Sequence, residues 1–285
     1  MLCLIFKMTC LEERELRENN RYAWYNTDKL FASRASLAPM CVCRKWHAII
    51  TDPQSGIMRY ANPILKTPED VGRFLTRGDL SRPSAQTFFH KVTLTADALY
   101  HLITPSEAQA EDMASIIEII EQGQNFPTIE IVIGKKAYAI LPSFKALEAL
   151  PIKGVHVKKW AHLEDITALS AFKGLERLNL EECDKLSNLD VLANFPHLAY
   201  LQDTSHTARV YPENLDVTWI QTHNQDNVSI KGYNNLTRLN VYNAGYVFLN
   251  DCPNLTHVDV VECEAILLIT DCPHIKTLKT CAVFV

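Results

Sequence analysis

One spacing constrains this chain more than any other: apolar-x-x-apolar-x-apolar, and it returns. Leu236-Thr237-Arg238-Leu239-Asn240-Val241 is followed nineteen residues on by Leu255-Thr256-His257-Val258-Asp259-Val260. Sixty-one residues before it stands Leu175-Glu176-Arg177-Leu178-Asn179-Leu180. Successive side chains on a strand point to opposite faces, so each segment offers one apolar face. A segment this short cannot bury that face alone and has to stack on copies of itself. The chain is therefore expected to be a stack of parallel strands joined by return legs.

Taking the first apolar position of each unit as a marker gives Ile129, Leu147, Leu175, Leu198, Leu215, Leu236, Leu255 and Ile275, at intervals of 18, 28, 23, 17, 21, 19 and 20 residues. Several units share a lead-in, as in Phe195-Pro196-His197-Leu198 and Cys252-Pro253-Asn254-Leu255. A proline there pre-forms the turn into the strand. Earlier strands are expected at Lys91–Thr95, Phe126–Ile133 and Gly154–Val157. Helices are expected from Thr67 to Leu75, from Ser106 to Gln122 and from Pro142 to Leu150. Units of 28 or 23 residues have room for a helix or a 3₁₀ turn as the return leg, and units of 19–20 residues have no room for a proper helix. The return legs are thus expected to be helical over residues 107–172 and extended after about residue 225, where Tyr246–Leu249 and Ile266–Ile269 are β-rich. The spacing, with Cys183 and Cys263 three residues past the last apolar position, resembles the leucine-rich repeat. The resemblance implies a parallel sheet on a concave face.

Composition removes other classes. A net charge of −5 argues against a nucleic-acid partner, which needs a basic face. The apolar start Met1–Phe6 is too short for a secretory core, and no stretch is long enough for a membrane helix, so a cytoplasmic protein is expected. The nine cysteines include no CxxC pair, and Cys252, Cys263, Cys272 and Cys281 recur at repeat intervals; they are expected to be reduced, buried and not metal-binding. No glycine-rich phosphate loop occurs, and no cysteine sits in a Gly-flanked loop beside a base. A non-enzyme without cofactor or metal is expected.

Near the N-terminus, Val42, Trp46, Ile49 and Ile50 make one face of a helix that Asp52-Pro53 ends. Val42-Cys43-Arg44-Lys45-Trp46-His47-Ala48-Ile49-Ile50-Thr51-Asp52-Pro53 resembles the second half of an F-box. Leu4-Ile5-Phe6-Lys7-Met8 is similar to part of its opening, and Asp28-Lys29-Leu30 with Leu37 to its middle. The resemblance implies a helical F-box-like domain over residues 1–60, a linker with a short helix over 61–84, and an irregular leucine-rich-repeat solenoid over 85–285, an α/β fold. It further implies that Leu30, Leu37, Met40, Val42, Trp46 and Ile49 hold a Skp-family adaptor, tying the chain to a cullin-type ubiquitin ligase. The protein substrate is then expected on the concave face, at Glu176, Arg177, Asn179, Arg238, Asn240, Tyr242, His257, Asp259 and Lys276. The loose repeats leave room for a bacterial effector that mimics such a subunit in a host cytoplasm. The alternative is a leucine-rich-repeat scaffold with no ubiquitin role.

Overall fold

The computed structural model describes residues 64–67, 91–103, 114, 128–135, 144–186, 189–206, 209–213, 215–223, 226–261, 266–280 and 283–284. The F-box-like segment, with Leu30, Leu37, Met40, Val42, Trp46 and Ile49, lies outside these residues, as do nearly all of the helices expected at 67–75 and 106–122. The chain divides into two units, Met1–Glu130 and Ile131–Val285.

In the first unit, β1 (Ile64–Leu65) pairs in parallel with β2 (Lys91–Thr95), Leu65 opposite Leu94. The expected linker therefore contains a strand. Val92, Thr93 and Leu94 are all buried, as happens in a parallel strand covered on both faces. Helix α1 (Ala96–Ile103) follows β2 directly and was not foreseen. It buries Ala98, Leu99 and Leu102, one face of just two turns, too short a run to stand out as a period. Lys91 Nζ lies 2.9 Å from Glu130, whose side chain is nearly buried. Glu130 sits in β3 (Thr128–Gly134), the strand that runs across the division.

The second unit is a parallel β-solenoid. Its remaining strands are β4 (Ile152–Lys158), β5 (Arg177–Glu181), β6 (Tyr200–Asp203), β7 (Arg209–Val210), β8 (Trp219–His223), β9 (Asn227–Lys231), β10 (Arg238–Tyr242), β11 (Tyr246–Asn250), β12 (His257–Val261), β13 (Ile266–Thr270), β14 (Thr277–Thr280) and β15 (Val283–Phe284). The first sheet runs through β4, β5, β6, β8, β10, β12 and β14, and the second through β7, β9, β11, β13 and β15. Neighbouring strands pair in parallel. Gly154, Arg177, Tyr200, Trp219, Arg238, His257 and Thr277 lie side by side.

That register gives circuits of 23, 23, 19, 19, 19 and 20 residues. The repeat is more regular than the sequence markers suggested. Two markers move: the position expected at Leu147 belongs to Ile152, and that at Leu215 belongs to Val217. Leu147 and Leu215 are buried as well, on the approach to their strands, so burial pattern alone could not separate them.

Circuit length follows the return leg. The two 23-residue circuits carry 3₁₀ turns, Thr167–Ala171 and Asp190–Asn194. Five 3₁₀ residues at about 2.0 Å each span the reach of roughly three extended residues. That accounts for about half of the extra length. The shorter circuits return as strands. The extended legs begin at Arg209, earlier than expected. In the described part of 107–172 the return legs at residues 144–147 and Thr167–Ala171 are 3₁₀ turns, the tighter of the two helical forms expected there.

Among the described residues, six strands end in the left-handed region. Lys159, Glu182 and Asn243 close first-sheet strands with φ of 51°, 52° and 54°, while Gly232, Asp251 and Asp271 close second-sheet strands. Threonines stitch neighbouring turns at the strand entries. The hydroxyls of Thr218, Thr237 and Thr256 donate to Ala199 O, Thr218 O and Thr237 O at 2.9, 3.0 and 3.0 Å. Inside, Leu178, Leu180, Ile220, Leu239, Val241 and Val258 face Val228, Ile230, Val247 and Leu249, all buried. Asp203 also points inward, fully buried. It accepts from the Ser205 N–H at 3.0 Å, from the Ser205 hydroxyl and from the Tyr211 hydroxyl at 3.3 Å. This carboxylate organises the corner where return legs change from 3₁₀ to strand.

Candidate recognition surface

Side chains of the first sheet that point away from the core stand in three rows across the strands. The first row is Arg177, Tyr200, Trp219, Arg238, His257 and Thr277. The second is His156, Asn179, Gln202, Gln221, Asn240, Asp259 and Lys279. The third includes Lys158, Glu181, His223, Tyr242 and Val261. Parallel in-register strands put like positions about 4.8 Å apart, so the rows are ladders of touching side chains.

The first row is an aromatic and cationic stack. The Tyr200 and Trp219 rings are 4.7 Å apart and tilted by 59°, and the Arg238 guanidinium lies 4.8 Å from the Trp219 ring centroid. Both geometries are favourable for ring faces. Tyr200 donates to Gln202 Oε1 at 3.0 Å and Arg238 Nε to Asn240 Oδ1 at 3.3 Å, tying the first row to the second. Asn240 Nδ2 continues to the Tyr242 hydroxyl at 3.3 Å, and Tyr242 stacks on His223 at 4.5 Å. Gln221 Nε2 and His223 Nε2 are 2.9 Å apart. Burial pushes the Tyr200 phenol pKa well up, the Tyr242 hydroxyl adds to this, and Arg238 partly opposes it.

Exposure grades across the face. His156, Asn179, Glu181, Gln202, Gln221, Asn240 and Tyr242 are buried, whereas Arg238, His257, Lys276 and Lys279 are exposed. Tyr200, Trp219 and Asp259 are half-buried. The nine residues expected to form the substrate surface therefore separate. Arg177, Asn179, Arg238, Asn240, Tyr242, His257 and Asp259 share the three rows, but Asn179, Asn240 and Tyr242 are closed to solvent. Glu176 and Lys276 precede their strands at the threonine-ladder position, outside the rows. Glu176 pairs with Lys153 at 2.9 Å.

His156, Tyr200, Gln202, Trp219, Gln221 and His223 were missed. The marker at Leu215 hid Trp219, Gln221 and His223. The spacing from Leu198 could have found Tyr200 and Gln202.

Two features mark the surface electrostatically. His156 Nε2 and Glu181 Oε2 meet at 2.9 Å with both side chains at 2% exposure. Burial raises the Glu181 pKa, but the His156 hydrogen bond and charge, with Lys158 and Lys159, outweigh it and hold the carboxyl below its ordinary value. The Trp219 indole N–H is buried and makes no hydrogen bond, which leaves a donor without an acceptor. Among the described residues, no three His, Cys, Asp or Glu side chains gather as a metal would require, and no helix is long and apolar enough to cross a membrane. No protein-family model matches the chain, and comparison with curated proteins and with solved structures returns no match.

Proposed function

We propose that the chain is a protein-recognition subunit whose leucine-rich-repeat solenoid holds a protein substrate on the first-row surface, and whose F-box-like segment joins it to a Skp-family adaptor and a cullin-type ubiquitin ligase. One observation carries the recognition half. Tyr200, Trp219, Arg238 and His257 form a partly open aromatic and cationic row on a rigid parallel sheet. Tyr, Trp and Arg are the side chains that most often anchor protein interfaces. A broad ladder of this sort suits a polypeptide better than a small molecule.

The ligase half rests on the resemblance of residues 42–53 to an F-box. The test is copurification with a Skp-family adaptor, for the full chain and for Trp46→Ala and Val42→Asp. Micromolar binding by the parent chain, lost in both variants, supports the ligase role. No binding at that concentration leaves the second reading, a repeat scaffold that uses the same first-row surface without any tie to ubiquitin transfer.

A further inference from the structure

Two cysteines recur at one place on successive turns of the solenoid. β11 and β13 pair in register, with Asn250 opposite Thr270. Each is followed by the same three residues, Asp251-Cys252-Pro253 and Asp271-Cys272-Pro273. The two aspartates have φ of 52° and 53°, so the backbone takes the same path at both corners. The two Cα–Cβ bonds then run side by side, about one strand spacing of ~4.8 Å apart. A disulfide bridges Cα atoms about 4.4–6.8 Å apart and Cβ atoms about 3.5–4.5 Å apart, so the Cα spacing suits a bridge and the two Cβ atoms have to close by only a few tenths of an ångström.

The sulfurs are held alike. Cys252 Sγ donates to Asn250 O at 3.5 Å, and Cys272 Sγ donates to Thr270 O at 3.2 Å. Each thiol lies near enough to the other to influence its titration. Their exposure differs. Cys252 is fully buried, while Cys272 is partly open. A reagent in solution meets Cys272 first and finds Cys252 behind it.

We propose that Cys252 and Cys272 form a dithiol modification site, oxidised to an intramolecular disulfide by a small disulfide of the glutathione class. The Cys272 thiol gives its proton to solvent, and the thiolate attacks one sulfur of oxidised glutathione. A mixed disulfide forms on Cys272, and one glutathione leaves as a thiolate that takes up a proton. Cys252 then loses its proton, attacks the Cys272 sulfur and releases the second glutathione. Two protein thiols lose two electrons, and one glutathione disulfide becomes two thiols. Burial raises both thiol pKa values, Cys252 to about 11, so the reaction speeds up as the solution is made alkaline. The product clips two turns together across a loop of about 20 residues.

The test incubates the full chain with oxidised glutathione at mildly alkaline pH, blocks the remaining thiols, digests without reduction and maps the linked peptides by mass spectrometry. The expected product joins the Cys252 and Cys272 peptides and disappears on reduction. Cys252→Ser is expected to stop at a glutathione adduct on Cys272, and Cys272→Ser is expected to give neither product. In the oxidised parent chain, amide exchange over Tyr246–Asn250 and Ile266–Thr270 is expected to slow about tenfold or more. Linkage mapping of the parent chain does not depend on either variant folding. The proposal is overturned if other cysteines take up glutathione while no Cys252–Cys272 link forms. It is equally overturned if Cys252→Ser, folded by circular dichroism, leaves Cys272 unmodified.

Discussion

The His156–Glu181 pair offers the sharpest test of how the outward rows are held. Both side chains are at 2% exposure, joined at 2.9 Å. Removing one member of a buried pair costs about 3–5 kcal/mol when the other stays charged. The two deletions are not equivalent. In Glu181→Leu the buried hydrogen bond to His156 is lost, and the expected cost is about 1–3 kcal/mol. In His156→Phe, Glu181 is left as a buried carboxylate whose Oε1 already makes no hydrogen bond, and the expected cost is about 3–5 kcal/mol. Replacing both is expected to cost less than His156→Phe alone, because the second change removes the stranded charge. Urea denaturation at pH 7 measures all four proteins. Acidification gives an independent arm. The Glu181 carboxyl is held below its ordinary 4.5 in the folded chain, so it contributes stability in full above that value and loses it as pH falls through the lower folded value. The gap between the parent chain and Glu181→Leu is therefore expected to narrow below about pH 4. The reasoning fails if the double variant loses the sum of the two single losses, or if the gap is the same at pH 7 and pH 3.

Three further outcomes follow from the turns. A Cβ on Gly245 would sit 2.9 Å from Asp226 O, the carbonyl that accepts from the Gly245 and Tyr246 N–H groups; Gly245→Ala is expected to lose about 1–3 kcal/mol in urea denaturation, and a neutral result would refute the close approach. Glu182 closes β5 at φ 52°, a conformation that asparagine tolerates better, as Asn243 does after β10. Glu182→Asn is expected to gain about 0.5–1 kcal/mol and Asn243→Glu to lose a similar amount, read as opposite shifts in melting temperature. Thr237→Val removes the hydroxyl bond to Thr218 O, but that carbonyl still accepts from the Thr237 and Arg238 N–H groups at 2.9 and 3.2 Å. The expected loss is about 1 kcal/mol or less, and a loss several times larger would make the hydroxyl ladder a principal tie between turns.

What could be seen in the sequence divides along physical lines. Strand positions from Leu175 to Leu278 were legible because burial on one face writes a period of two into the residues. The circuit containing Val217 was not, since Leu215 and Val217 are both buried and the period admits either. The second sheet was legible at Tyr246–Leu249 and Ile266–Ile269, where apolar and β-branched residues run together. It was not legible at Arg209–Val210, a two-residue strand that owes its state to β9 beside it. Helix and 3₁₀ turn both bury apolar residues at intervals of three or so, so the legs at residues 144–147 and Thr167–Ala171 were legible only as helical, and the turn at Asp190–Asn194 was not foreseen. The candidate surface was half legible. Arg238, His257 and Asp259 follow from alternation along a strand. The stacking of Trp219 between Tyr200 and Arg238 depends on three circuits being in register, which no single segment records. The closure of Asn179, Asn240 and Tyr242 from solvent was illegible for a related reason, since alternation gives the face a side chain occupies and not what surrounds it.

The threonine ladder has a consequence for how such a chain can change in length. Each hydroxyl bond reaches back only to the turn before it, nineteen residues away. No listener further along the chain depends on which copy is speaking. A block of one period, from Thr218 to Leu236, could be duplicated in place and every tie would find an equivalent neighbour. Growth by whole periods conserves all the local rules, while a gain or loss of one residue within a strand turns every later side chain of that strand to the opposite face. A lineage of such chains is thus free to vary in number of turns long before it is free to vary within one.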